Sequence, residues 1–196
     1  MEEQVSRQFI LSDEVDVIID VADASALERN LYLTLQLLEL GKPVVLALNM
    51  MDIVEKRGME IDTHRLPEML GIPVIPVSAR RKTGLDILMH AVVHHYEEGP
   101  KNDILDYGPA VEEKLALLEE RMQSKYPNHS SVRWHAIKLL ENDEEVKKDH
   151  PLEVESIVDR NYEKDITEKK YEYIEKVIQE VLFYKDRKAA STDRID

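Results

Sequence analysis

Two short polar clusters, each set directly behind an apolar run, carry most of the chemistry in this sequence. Asn49-Met50-Met51-Asp52 follows PVVLAL, and Ser78-Ala79-Arg80 follows IPVIPV. A carboxylate in the first position can accept two parallel hydrogen bonds, one from a ring N–H and one from an exocyclic amine. Guanine offers that pair of donors and adenine does not; a half-satisfied carboxylate is the penalty that rejects the wrong base. A tight turn containing a small residue, as at Ala79, lets a backbone N–H approach a carbonyl such as guanine O6, where adenine carries an amine. Either cluster alone is ordinary turn chemistry. Together, one after each of two successive strand-like runs, they point to a guanine site.

The elements that must position these residues are legible from hydrophobic pattern. Val15 to Val21, Pro43 to Leu48 and Ile72 to Val77 are short β-branched runs suited to buried strands. Between the first two, Leu31, Leu35, Leu37 and Leu38 recur at helical spacing and Gly41 follows as a stop. A shorter helix ending at Gly71 separates the next two, and a third runs from Leu85 to Tyr96. Alternation of this kind predicts right-handed crossovers and a parallel sheet, so the first part reads as α/β. In such sheets ligands bind at the carboxyl ends of the strands, where both polar clusters fall.

The pattern changes at EEGPKND, around Gly99-Pro100, and the expected division is residues 1–98 and 99–196. Beyond it no strand-like run is expected. Apolar stripes at Val111, Leu115, Leu118 and Met122, at Trp134, Ile137 and Leu140, at Val154, Ile157 and Val158, and from Tyr171 through Ile174, Val177, Ile178 and Val181 to Leu182 predict a bundle of four helices. ENDEEVKKD and YEKDITEKK read as solvated charged connections or helix faces.

Composition narrows the function classes. With 26 Lys+Arg against 40 Asp+Glu, the formal charge of -14 opposes nucleic acid and anionic membrane surfaces as partners. The sequence has no cysteine, which removes thiolate metal sites, disulfides and thiol nucleophiles. MEEQVSRQFILSDE lacks the basic start and apolar run of a signal peptide, and no stretch approaches the roughly 20 apolar residues of a spanning helix; a soluble chain is expected.

The wording around the two clusters is more specific than the clusters themselves. DVADASALERNLYLTLQLLELGKPVVLALNMMDIVEKRGMEID, LGIPVIPVSARRKTGLDIL and RWHAIKLLENDEEV resemble the ferrous iron transport protein B family, over most of the chain. The resemblance implies a partial P-loop GTPase-type sheet of three strands with helices, then a small all-α bundle like a GDP-dissociation-inhibitor domain. It also implies a place at the cytoplasmic face of the membrane, beside the transporter region of the same protein. By resemblance, Asn49, Met50 and Asp52 match the guanine-specificity motif, and Ser78, Ala79 and Arg80 the second base-contacting loop. Met50 stands where many GTPases have a lysine, exchanging a charged stem for a thioether and suggesting weaker nucleotide retention.

The chief departure is at the front. The sequence contains no GxxxxGKS/T and no DxxG at the family's position, so the phosphate cradle and the Mg²⁺ hydroxyl ligand are absent from it. EEQVSRQFIL resembles the tail of the family's second switch helix, and the expectation is a chain starting after the catalytic machinery, with GTP or GDP as ligand of the intact protein and no turnover alone. By the family's strand order, Val15 to Val21 also lacks a flanking partner, which predicts self-association or a strand swap through that edge.

Other candidates receive plainer readings. His90 and His94 share a helical face at metal-ligand spacing but lack a carboxylate in register, and read as surface histidines; the remaining histidines look scattered. Trp134 reads as a core anchor, Asp20 and Asp23 as turn or capping residues, and Arg80-Arg81-Lys82 as a solvated turn. Two functions follow: a nucleotide-responsive regulatory module of an iron transporter, or a partner-binding helical module without nucleotide.

Overall fold

The computed structural model describes residues 8–100 and 105–185. Three strands form the parallel sheet: β1 (Ile18–Asp23), β2 (Val44–Asn49) and β4 (Val74–Pro76), in the order β1-β2-β4. They are joined by α1 (Leu27–Leu38), and by α2 (Met51–Lys56), β3 (Met59–Ile61) and α3 (Arg65–Leu70); α4 (Leu85–Glu98) follows. α5 (Pro109–Lys125), α6 (Val132–Leu140), α7 (Glu144–Asp149) and α8 (Glu163–Val181) make the helical part, and β5 (Leu182–Tyr184) ends it. Of the expected switch-helix tail, residues 2–7 lie outside the described residues, and residues 8–11 are helical.

β2 is the centre of the sheet. Val44 to Leu48 are all buried, and the strand is hydrogen-bonded on both sides, Ile18 to Asp23 facing Val44 to Asn49 and Leu46 to Leu48 facing Val74 to Pro76. A strand buried on both faces must be apolar throughout, which PVVLAL satisfies.

The expected strand limits shift for local reasons. β1 begins at Ile18 rather than Val15, and the chain before it is held instead by the Lys42 ammonium, which donates to the carbonyls of Ser12 and Val15, the latter at 2.9 Å. β4 is shorter than Ile72 to Val77 because Pro73 and Pro76 donate no N–H to a ladder. Val77 still donates to the Leu48 carbonyl at 2.9 Å.

The helical part departs from expectation in three places. Val154, Ile157 and Val158 lie in a turn, with the Ile157 and Val158 amides both bonded to the Val154 carbonyl at 2.8 Å, although Ile157 is buried. The missing helix is α7, inside ENDEEVKKD. Asp143 caps the amides of Glu145 and Val146, acids open the helix, lysines close it, and Val146 is buried. Tyr171 is exposed and stacks on Tyr32 at 5.2 Å; the buried face of α8 is Ile166, Lys170, Ile174, Val177 and Val181. Finally, a strand does occur beyond Gly99: β5 pairs antiparallel with β3, Ile61 facing Leu182 and Met59 facing Tyr184. Leu182 continues the apolar period of α8, so sequence alone places it in that helix; pairing draws it into extended backbone instead.

The sheet part and the helical part share one continuous core. Deep in it, Lys170 of α8 is fully buried and pairs with Glu39, just past α1, at 2.9 Å. The Tyr107 hydroxyl donates to the same carboxylate, and the Lys170 ammonium lies 5.7 Å from the centre of the Tyr32 ring. Burial, then the negative charge of Glu39, pushes the Tyr107 phenol far above its ordinary range, so it remains a donor. Nearby, the Ser131 hydroxyl donates to the Leu40 carbonyl at 2.8 Å.

Breaking a buried pair from one side strands a charge. Lys170→Met is expected to lower unfolding free energy by about 3–5 kcal/mol in urea titrations, and Glu39→Gln added to it to restore part of the loss; a single-variant cost below about 1 kcal/mol would contradict the pairing. Gly84 has φ +79, and an added Cβ would sit 2.4 Å from the Pro76 carbonyl oxygen. Gly84→Ala is therefore expected to cost about 1–3 kcal/mol in thermal unfolding, whereas the open Gly58→Ala should cost less despite its own positive φ.

Candidate guanine-base site

Parallel strands point the same way, so the ends of β2 and β4 open onto one edge of the sheet. Asn49 is the last residue of β2, and Met50 takes a left-handed conformation (φ 66) that turns the chain directly into α2. Asp52 thereby lies in the first turn of α2, where the helix dipole favours a carboxylate. Its side chain is 34% exposed and faces Lys56, one turn on, at 3.5 Å. An exposed ion pair of that length constrains the carboxylate weakly and leaves it able to exchange partners.

The second loop is closed on itself. Ser78 and Thr83 exchange backbone hydrogen bonds of 3.0 and 3.2 Å, and the Arg81 amide donates to the Ser78 hydroxyl at 3.2 Å. Lys82 (φ 53) and Gly84 (φ 79) make the reversal, and the Pro76 carbonyl presses against Gly84 where a side chain would stand. Ala79, Arg80, Arg81 and Lys82 project to solvent.

One bond ties the loops together: the Ala79 amide donates to Asn49 Oδ1 at 3.4 Å. The structure thus brings Asn49, Met50, Asp52, Ser78, Ala79 and Arg80 to one corner of the sheet. Met50 is 46% exposed, so its thioether is available as an apolar surface. The arrangement offers one carboxylate acceptor, one apolar side chain and a fixed small-residue turn, which suits the edge and face of a purine ring. Asp20 and Asp23 stand apart from this role: Asp20 is buried, its carboxyl held up by desolvation and bonded by the Thr34 hydroxyl at 2.7 Å, while Asp23 caps Ser25 at 2.8 Å.

Thr83 and Gly84, which clasp the second loop, escape a reading built on strand-end motifs; a Thr-Gly pair ahead of an apolar helical run is the signal that marks them. His90 and His94 are exposed, and His94 faces Glu98 at 3.7 Å. The expectation that the other histidines are scattered fails. His129, His135 and His150 converge, because the packing of α6 with α7 and the preceding loop joins positions that no local spacing relates. Trp134 is buried at 5% exposure, beside them.

Comparison with known proteins adds the lineage. Residues 1–92 match the family described as ferrous iron transport protein B, and residues 107–182 match the FeoB cytosolic helical domain. The Fe(2+) transporter FeoB of Salmonella choleraesuis strain SC-B67 is 40% identical over 143 residues, 73% of this chain and 18% of that protein. The Legionella pneumophila strain Paris transporter of the same name is 43% identical over 142 residues, 72% of this chain and 19% of that protein. The chain therefore spans less than a fifth of the length of these relatives. A GDP-bound mutant of S. thermophilus NFeoB superposes with a TM-score of 0.84 at 33% identity, covering 93% of this chain and 75% of that one. The cytosolic domain of L. pneumophila FeoB superposes at 0.81 with 36% identity, covering 93% and 74%. Matched across both its α/β and its helical part, the chain belongs to the ferrous iron transport protein B family.

Proposed function

We propose that this chain is the base-recognising and regulatory portion of a ferrous iron transporter, reading guanine with the corner built by Asn49, Met50, Asp52, Ser78, Ala79 and Arg80. The observation that carries the reading is the meeting of the two strand-end loops, marked by the Ala79 amide donating to Asn49 Oδ1 at 3.4 Å, beside a carboxylate that faces the exposed Lys56. Asp52 accepts from the two N–H donors of the base edge, Met50 covers a ring face, and the turn at Ala79 faces O6. Relatives of the same fold carry GDP or GMPPNP, which supports a guanine nucleotide as ligand. The residues present fit the base; the phosphate cradle and the Mg²⁺ ligand belong to motifs this sequence does not contain.

We divide the chain at residues 98 and 99, a nucleotide-facing part and a helical part. The two family matches, which end at 92 and resume at 107, support that division. No helix among the described residues is long and apolar enough to cross a membrane. In the full transporter this portion would lie at the cytoplasmic face and pass the nucleotide state to the membrane region through Glu39 and Lys170.

The test is selectivity. Without a phosphate cradle the affinity is expected to be low, with GDP bound at least about tenfold more tightly than ADP. Asp52→Asn replaces an acceptor by a donor and should transfer preference to xanthosine diphosphate, whose C2 carbonyl accepts from the carboxamide. Equal binding of GDP and ADP, or an Asp52→Asn variant with unaltered preference, would contradict the assignment.

A second reading, self-association, rests on the sheet edge. Among the described residues no strand pairs with the outer side of β1, and Ile19 and Val21 are 40% and 64% exposed. Sedimentation at rising concentration is expected to show a reversible dimer that Val21→Lys weakens; a strictly monomeric species at high concentration would remove this reading.

A further inference from the structure

The helical part contains a cluster the nucleotide reading does not use. His129 lies in the loop between α5 and α6, His135 on α6, and His150 caps α7. One ring nitrogen from each falls within 4.8 Å of the others, and the ring centroids of the three pairs are 4.0, 4.7 and 4.7 Å apart.

His129 Nε2 lies 2.6 Å from His135 Nδ1. Two N–H groups cannot face each other at that distance and two lone pairs would repel, so a single proton is shared between them. That is the position a metal cation takes when it displaces a proton. His150 Nδ1 is buried and has no hydrogen-bond partner among the described residues, although a buried ring nitrogen requires one.

The surroundings suit a cation. The three rings border a cleft of about 200 Å³ that is also lined by Glu145 and Asp149, carboxylates able to offset charge or complete a coordination sphere. That volume accommodates a hydrated ion, each water taking about 30 Å³. A tetrahedral ion with metal–nitrogen bonds of about 2.0–2.1 Å needs nitrogens about 3.3 Å apart. To reach that geometry the His129–His135 pair, now at 2.6 Å, would open, and any pair near the 4.8 Å limit would draw in.

We propose that His129, His135 and His150 form a binding site for a late first-row divalent metal ion, of the Fe²⁺ and Zn²⁺ class, with water or a cleft carboxylate as fourth ligand. Three imidazoles without thiolates favour this class over Mg²⁺ and Ca²⁺, which take oxygen ligands. The ion would pin the loop before α6, α6 and the end of α7 to one another. Gln8, Leu11 and Ser12 line the same cleft, so its occupancy would also bear on the segment that leads into β1.

The experiment uses tag-free protein, titrated separately with Zn²⁺, with Fe²⁺ under anaerobic conditions, and with Co²⁺ as a spectroscopic probe; Mg²⁺ serves as the control. One ion should bind per chain, with tetrahedral d–d absorption for Co²⁺ and a raised thermal midpoint for Zn²⁺ or Fe²⁺ but not for Mg²⁺. His129→Gln, on a half-buried loop, and His150→Gln should each lower affinity at least about tenfold while far-UV circular dichroism is unchanged. The exposed pair His90→Gln and His94→Gln should change nothing. The relative affinities distinguish an iron site from a zinc site. Absence of saturable binding by all three ions, or affinities equal in wild type and in the folded His129→Gln variant, would overturn the proposal.

Discussion

Everything at the candidate base site follows from the polarity of β2. Its five buried apolar residues can be accommodated only in the middle of a sheet covered on both faces, and that position forces its neighbours into register. Because β4 runs parallel to it, both strands terminate on the same edge, and the loops that follow are adjacent without any direct attraction between them. The weak 3.4 Å bond from the Ala79 amide to Asn49 then sets only the final approach. Polar residues can therefore occupy solvent-facing turns while the strands behind them fix where those turns begin.

The helical part is joined to this sheet by polar groups placed where water cannot reach. Glu39 ends the first crossover helix, and its carboxylate is satisfied by Lys170 from the last helix and by Tyr107 from the segment entering the bundle. A buried pair of this kind adds little net stability over an apolar replacement, but it penalises any arrangement that separates its members. Antiparallel pairing of β3 with β5 and the Arg65–Glu180 ion pair at 2.7 Å fasten the far end of α8 to the same layer. Through the Glu39–Lys170 pair the end of α1 and the middle of α8 are thus in direct contact.

Much of this was legible in the residues. Buried strands leave continuous apolar runs, and Val44 to Leu48 has no other plausible home; the strand-end motifs and crossover helices follow from it. What escaped the sequence was decided by tertiary competition. Leu182 continues a helical period yet extends, with Phe183 and Tyr184, to pair with Met59 to Ile61. The charged stretch around Glu144 becomes a helix because Asp143 caps it and Val146 finds the core. Lys170 reads as one more surface lysine until Glu39, remote in sequence, is seen opposite it. The convergence of His129, His135 and His150 is likewise a product of helix packing, invisible to spacing rules. Local propensity found the elements; pairing and burial chose their limits and partners.

The central claim is that a guanine ring is held between the turn at Ala79 and the carboxylate of Asp52. Amide chemical shifts recorded while isotopically labelled protein is titrated with GDP and then with ADP test it most directly. The account predicts that the amides of Met50 to Ile53 and Ser78 to Arg81 move together with GDP and respond far less to ADP. Shifts confined to other surfaces, or identical responses to the two nucleotides, would contradict it.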